Sequence, residues 1–140
     1  MTTDHRTSFH RFVEFINSGD ATIGETVISP EATFMTPFSP EALRGLPGYL
    51  QILTSMRGAF SDIQWSVDQV VVEYDTVAAR FTLRGTHDGE FLGTPATGRA
   101  VIAHASNFYR FVDGRIVDEV GQPDLLSILG QIGALPPSLG

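Results

Sequence analysis

The sequence predicts an α+β domain in which helices pack on one strongly curved, cone-shaped antiparallel sheet. Three observations lead there. Apolar residues recur at helical spacing as far as Phe60, they alternate like strands from Ser61 to Val120, and they return to helical spacing only after Pro123. A bent sheet with helices across its mouth encloses an interior pocket. The order of elements leaves the bend itself open, with Gly85 and Ser106 as candidate positions for bends or bulges.

Phe9, Phe12, Val13 and Ile16 mark the apolar face of a first helix, which Asn17-Ser18-Gly19-Asp20 ends. Ala21 to Ile28 reads as a short second helix stopped ahead of Ser29-Pro30, and Ala32 to Thr36 as a brief strand stopped by Pro37. Gly45-Leu46-Pro47 opens a third helix, since a proline in the first turn lacks only an N–H that would have no helical partner; Leu50, Leu53, Met56 and Phe60 form its stripe. Ile63, Trp65 and Val67 then alternate, Val70-Val71-Val72 follows, and Val77 to Leu83 returns after a turn at Asp75-Thr76. Gly85, Gly89, Gly93, Pro95 and Gly98 make Arg84 to Arg99 a strand end and a long loop with a mobile tip, of the kind that covers sites. Val101 to Val112 is a full strand, Asp113-Gly114 a hairpin turn, and Arg115 to Val120 the partner strand. Asp124 then precedes Leu125, Leu126, Ile128 and Leu129 in a last helix, closed by Gly130, Gly133 and Pro136-Pro137. No repeat or linker interrupts the pattern, so residues 1–140 form a single domain, with 1–6 and 134–140 expected as loose tails.

Composition narrows the function. A chain of 140 residues, 42% hydrophobic, suffices for one core and excludes two full domains; it needs no disulfide or structural metal, and it has no cysteine. No apolar run approaches the ~18 residues needed to cross a bilayer, and the first residues lack the layout of a signal peptide, so a cytoplasmic protein is expected. A net charge of −7 argues against nucleic acid or an anionic membrane as partner. All nine bases are arginine; without lysine there is no Schiff-base chemistry. No histidine pair or His/carboxylate cluster has metal-ligand spacing, and the glycines of 85–98 lack the lysine and the strand–loop–helix setting of a phosphate loop. Neither a metal nor a cofactor is expected.

Polar residues embedded in apolar strand sequence are the candidates for chemistry, because a buried polar group must be paired, and pairing in a pocket tunes a catalytic group. They are His87, His104, Asn107 and Asp124. Asp124 reads equally as an N-cap of the last helix and as a general acid or base at the pocket mouth. His87 either hydrogen-bonds the neighbouring glycine-rich loop or serves the site. His104 and Asn107 lie on opposite faces of one regular strand, so at most one points inward. Tyr109 shares the face of Asn107, and with Phe111 gives an apolar surface with polar tips, as core or as substrate contact. Trp65, Phe34 and Phe60 supply apolar bulk as core or pocket wall.

The run Gly85-Thr86-His87-Asp88-Gly89-Glu90-Phe91-Leu92-Gly93-Thr94-Pro95-Ala96-Thr97-Gly98-Arg99 resembles the SnoaL-like polyketide cyclases, or ester cyclases. Phe108-Tyr109-Arg110-Phe111, Asp113-Gly114-Arg115-Ile116 and Pro123-Asp124-Leu125-Leu126 to Gly133 extend the likeness over nearly the whole chain. The resemblance implies the cone fold of the nuclear transport factor two superfamily. It also implies cofactor-free acid–base catalysis, in the founding members an intramolecular aldol ring closure of an aromatic polyketide. Aligned to those members, their catalytic Asp falls at Gly121 and their His at Asn107, while Asp124 matches a second acidic residue. A frequent tryptophan of the last strand is replaced by Val120, which would leave more room for substrate.

The leading expectation is thus a cofactor-independent cyclase or isomerase acting on an apolar, oxygenated natural-product-type molecule. Asp124, His104, His87 and Asn107 are its candidate catalytic residues, and Tyr109, Trp65, Phe34, Thr36, Phe111 and Val120 its candidate substrate contacts. The loss of the founding pair keeps open a non-catalytic small-molecule-binding domain, and an epoxide hydrolase-like enzyme using Asp124, Asn107 and Tyr109 to orient water is a second alternative. A pocket carboxyl whose proton is held unusually tightly would favour enzyme over binder. An outer sheet face with apolar residues left to cover leads to a homodimer as the expected state.

Overall fold

Asp4 starts the first helix by accepting a hydrogen bond from the Arg6 N–H at 3.0 Å, so α1 (His5–Ser18) takes in His5 and Arg6 from the expected N-terminal tail. The computed structural model describes residues 4–135; of the expected tails, residues 1–3 and 136–140, with Pro136-Pro137, lie outside them, whereas the Ala134 N–H bonds the Leu129 carbonyl at 2.8 Å. Gly19, in the left-handed region at φ 70°, ends α1, and Asp20 caps α2 (Ala21–Val27) through the Thr22 N–H. β1 (Ile28–Met35) begins earlier than the sequence suggests. Its pairing is irregular between Ile28 and Thr33, where Pro30 has no N–H to give. A two-residue strand that the sequence does not announce, β2 (Leu43–Arg44), leads into α3 (Gly45–Ala59). The meander β3 (Gln64–Glu73), β4 (Thr76–Thr86), β5 (Ala100–Val112), β6 (Arg115–Pro123) follows, and α4 (Leu125–Gln131) closes the fold. No helix among the described residues is long and apolar enough to cross a membrane.

The strand order is β2-β1-β6-β5-β4-β3, in one open sheet. All pairings are antiparallel except β1 with β6. The sheet is therefore mixed, because α3 carries the chain across to the far edge and the meander returns to lie beside β1. Bulges interrupt the register between Val67 and Gln69 and again at Val117, where Arg110–Phe111 faces Asp118 and Ile116. These positions, rather than Gly85 or Ser106, bend the strands. Gly85 and Ser106 sit in regular register, and Gly85 is bare because a Cβ there would stand 2.9 Å from Cβ of Phe60.

Two apolar clusters fill the concave side. Phe9, Phe12, Phe15, Phe34, Phe81 and Tyr109 belong to the larger, and Met56, Phe60, Ile63, Leu83, Phe91 and Ile128 to the smaller. The connection between β4 and β5 is fastened over the smaller one. Asp88 and Gly89 donate to the Ala59 carbonyl at 3.1 Å each, the Ser61 N–H reaches Asp88 at 3.0 Å, and Phe91 and Thr94 exchange two backbone bonds of 2.9 Å. Any side chain at Gly89 would collide with the Gly58 carbonyl oxygen, 1.8 Å from an added Cβ.

On the outer face a row of apolar residues runs straight across five strands. Val71, Ala78, Phe108, Val120 and Met35 are successive cross-strand partners. Phe108 is 59% exposed and Met35 57%.

Candidate active site

Strand parity builds the site. On β5, Val101, Ala103, Ala105, Asn107, Tyr109 and Phe111 turn inward, with exposed residues between them. On β6 the extra residue at Val117 resets the alternation, so that Ile116, Glu119 and Gly121 are the buried positions. Asn107 is the direct partner of Gly121, and Phe34 of β1 pairs with Glu119 from the other side. From above, α3 brings Tyr49, whose ring packs against Phe34 at 4.7 Å and Phe12 at 5.3 Å.

These elements enclose a small interior cavity of about 70 Å³. Its walls are apolar: Ile52, Leu53 and Met56 of α3, Trp65 of β3 and Leu83 of β4. Its far end is polar, formed by Tyr49, Asn107 and Glu119 around the bare Gly121. A larger cavity of about 270 Å³ shares Thr36, Phe38, Ile52 and Met56 with it, and is rimmed by Ser55, Glu90 and Phe91, as a vestibule to the inner chamber. Among the described residues, no arginine lines either space.

Glu119 is the carboxyl group of the inner chamber and is only 4% exposed. Burial without a cation pushes its pKa from 4.5 up to about 8, against the hydroxyls of Tyr109 and Tyr49, which favour the carboxylate. Burial and the charge of Glu119 hold both tyrosines well above their ordinary value. The Asn107 amide is held between the β6 backbone, Tyr109 and Glu119. Its Oδ1 accepts from the Gln122 N–H at 2.9 Å, and its Nδ2 donates to the Tyr109 hydroxyl at 3.1 Å and lies 3.5 Å from Glu119 Oε2. Glu119 Oε1 has no hydrogen-bond partner among the described residues. A carboxyl that changes protonation near neutrality, in a chamber with apolar walls, can take a proton from a carbon acid and return it to an oxygen.

Of the residues singled out in the sequence, Asn107, Trp65 and Thr36 line the chamber. His104 points the other way, half-exposed on the outer face, where its Nδ1 is 3.1 Å from the Thr82 hydroxyl and 4.0 Å from Asp68. The strand is regular around it, so parity keeps it outside. His87 is fully buried beneath the β4–β5 connection. The Thr97 N–H donates to its Nδ1 at 3.3 Å and the Thr97 hydroxyl lies 2.9 Å from it, in the loop-fastening arrangement rather than at the cavity. Asp124 caps α4, accepting from the Ser127 N–H at 3.1 Å; its neighbour Pro123, not Asp124, reaches the chamber. The water-orienting trio of Asp124, Asn107 and Tyr109 is accordingly not assembled. Phe34, Phe111 and Tyr109 are core, each at most 1% exposed, and Val120 lies on the outer face at 40% exposure because it alternates with Glu119 and Gly121.

Glu119 and Tyr49 are the residues that sequence reasoning missed. The signal for Glu119 was present: it shares a strand face with Gly121, two residues on, the position aligned to the catalytic Asp of the founding cyclases. Tyr49 carried no signal, since its place in the chamber depends on how α3 crosses the sheet.

The chain is similar to several known proteins. The family model for SnoaL-like polyketide cyclases matches residues 7–132. The aklanonic acid methyl ester cyclase DnrD of Streptomyces peucetius is 34% identical over 97 residues, covering 68% of this chain and 66% of DnrD, just under two thirds of that protein's length. The cyclase of the same name from Streptomyces galilaeus, AcmA, is 32% identical over 127 residues, covering 88% of this chain and 86% of AcmA. Among solved structures, IdmH of Streptomyces antibioticus, a candidate polyketide cyclase, superposes with a TM-score of 0.82 at 30% identity, over 94% of this chain and 99% of IdmH. AclR of Streptomyces galilaeus, a candidate hydroxylase, superposes with a TM-score of 0.81 at 27% identity, over 94% and 97% of the two chains.

Proposed function

The chain belongs to the SnoaL-like polyketide cyclase family, and from that membership we propose that it closes a ring in a polyketide-derived molecule by an intramolecular aldol reaction, with Glu119 carrying the proton. In its carboxylate form Glu119 takes a proton from the carbon beside one carbonyl. The enolate carbon so formed attacks a second carbonyl of the same molecule, a carbon–carbon bond forms, and the resulting alkoxide recovers the proton from Glu119. Nothing is consumed beyond the substrate, and no cofactor is called for. The observation that carries the reading is the position of Glu119, a buried carboxyl facing an apolar chamber with one oxygen unpartnered. Tyr49, which lines the same end, donates a hydrogen bond to the developing oxyanion in this reading.

An uncharged keto ester suits spaces that no arginine lines, because a desolvated carboxylate would find no counter-charge. The relatives are named for such an ester. The direct test is incubation of the purified chain with aklanonic acid methyl ester, followed by liquid chromatography and mass spectrometry. A new species of unchanged mass is expected, since an aldol closure conserves atoms. Binding reported by Trp65 fluorescence without any conversion would leave a binding domain in place of an enzyme.

The proposal extends to a homodimer, in which the apolar row Val71–Ala78–Phe108–Val120–Met35 packs against its copy. Arg80, in the next row, meets no acidic partner within the chain among the described residues, whereas Asp118, which already pairs with Arg110 at 3.1 Å, lies on the opposite side of Phe108. An isologous contact can bring the two together. Sedimentation of the wild-type chain at micromolar concentration is expected to give a dimer and Phe108→Asp a monomer; a monomeric wild type refutes the arrangement.

A further inference from the structure

Gly121 occupies a regular strand position opposite Asn107, where a glycine weakens the strand. The usual reasons for a glycine are missing there. Its backbone lies outside the left-handed region that favours glycine. An added Cβ would stand 3.4 Å from Glu119 Oε2, 3.6 Å from Asn107 Oδ1 and 3.8 Å from Asn107 Cγ, which is ordinary van der Waals contact. At Gly85 and Gly89, by contrast, a Cβ would come within 2.9 and 1.8 Å of its nearest neighbour. A side chain at 121 is thus barred neither by strain nor by collision. What its absence leaves is room at the polar end of the inner chamber.

We propose that Gly121 sets the depth of this chamber, so that the protein selects a ketone whose reacting end is a short acyl arm and whose ring system stays in the outer cavity. The inference rests on the chamber being where the proton moves. Size carries it. An apolar cavity of ~150 Å³ admits a benzene ring, which is about 25 Å³ per heavy atom. At that scale the chamber of about 70 Å³ takes about three heavy atoms, and the outer cavity of about 270 Å³ takes about eleven. A ring is too large for the first and suits the second. The chamber's capacity is that of a carbonyl carbon, its oxygen and the carbon beside it, the smallest group that contains a carbon acid. Glu119, whose Oε1 has no hydrogen-bond partner among the described residues, lines that same end. Thr36, Phe38, Ile52 and Met56 border both cavities and so enclose the join between arm and ring. An alanine methyl at 121 fills about one heavy atom's share of the chamber, and the longest arm that fits becomes about one carbon shorter.

The test is a series of naphthyl carbonyl compounds with formyl, acetyl, propanoyl and butanoyl arms. Each is titrated into the wild type and into Gly121→Ala, and binding is followed by the NMR signal of the Trp65 indole N–H, at the chamber wall. The ratio of the variant's Kd to that of the wild type is expected to stay within about threefold for the formyl compound. It should reach roughly tenfold or more for the longest arm that the wild type accepts, since one methylene in a closed pocket is worth ~10- to 200-fold. Leu92→Ala, which alters the outer cavity, is expected to weaken every member of the series by the same factor, because the ring is common to all. Ala105→Val, which narrows the chamber from the neighbouring strand, is the substitute should the alanine variant not fold.

A ratio that is the same for every arm, whether unity or larger, overturns the depth role, and so does a wild type that binds none of the compounds. A uniform loss would mean that position 121 acts on the Glu119 and Asn107 side chains rather than on the room beside them. Binding is read here without turnover, so the catalytic reading stands or falls separately. Unimpaired turnover of Glu119→Gln would strike the proton carrier and leave the dependence on arm length as it is.

Discussion

Glu119→Gln is expected to lower ring-closure turnover by roughly 10²- to 10⁴-fold, the usual contribution of a positioned acid or base. Glutamine keeps the volume and most of the hydrogen-bonding capacity of the side chain, so the chamber stays filled and the change removes only the ionisable group. The effect is expected in kcat more than in KM, because the apolar walls available to hold a substrate are Ile52, Met56 and Trp65 rather than the carboxyl. The wild-type pH profile gives the same group a second signature. Glu119 must start as a carboxylate to act as base, and it ionises near pH 8. kcat/KM should therefore rise about tenfold per pH unit below that point and level off above it. Steady-state kinetics of both proteins between pH 5.5 and about 9.5 decide the matter. A glutamine variant with unimpaired turnover would remove Glu119 from the mechanism.

Stability should move in the opposite direction with pH. Below the ordinary glutamate value of 4.5, Glu119 is protonated whether the chain is folded or not. Between 4.5 and about 8 the unfolded chain ionises it while the folded chain keeps the proton, so each unit of rising pH favours unfolding. The slope is up to about 1.4 kcal/mol per pH unit, and the loss is complete once the pH passes the folded value. Asp20, Asp62 and Asp88, whose carboxylates are held below their ordinary value by hydrogen bonds, exert their own influence only at lower pH and leave this window clear. Urea denaturation at successive pH values should show a fall for the wild type that Glu119→Gln lacks, with the variant the more stable of the two at alkaline pH. Parallel curves would mean that Glu119 is not held protonated. Burial of an acid at the cost of stability, in a site where an apolar residue would pack, is the mark of a group kept for its chemistry.

Much of the fold was legible because it rests on local signals. The phenylalanine face of α1, Pro47 in the first turn of α3, the Asp113-Gly114 hairpin and the Asp124 cap all act within a few residues, and each element stands where those signals put it. The parity that sets His104 outside and Asn107 inside is equally local, since β5 runs without a bulge between them. The candidate site was less legible. Positions 107 and 121 stood out from the family pattern, but the ionisable group beside them is Glu119, displaced by one step along the same face of β6. Val117 hides it. A one-residue bulge there inverts the alternation that a strand from Arg115 would otherwise follow, and turns inward a Glu119 that counting by twos from Ile116 would put outside.

The sequence by itself determined the α+β class, the order of helices and strands and the family, because hydrophobic period, caps and turns are written in short stretches of chain. Tertiary structure alone decided which polar groups meet. The parallel pairing of β1 with β6, the crossing of α3 that delivers Tyr49, and the bulge that turns Glu119 inward join residues tens of positions apart. The high proton affinity of Glu119 is a property of that enclosure, since no sequence neighbour of a carboxyl can remove the water around it.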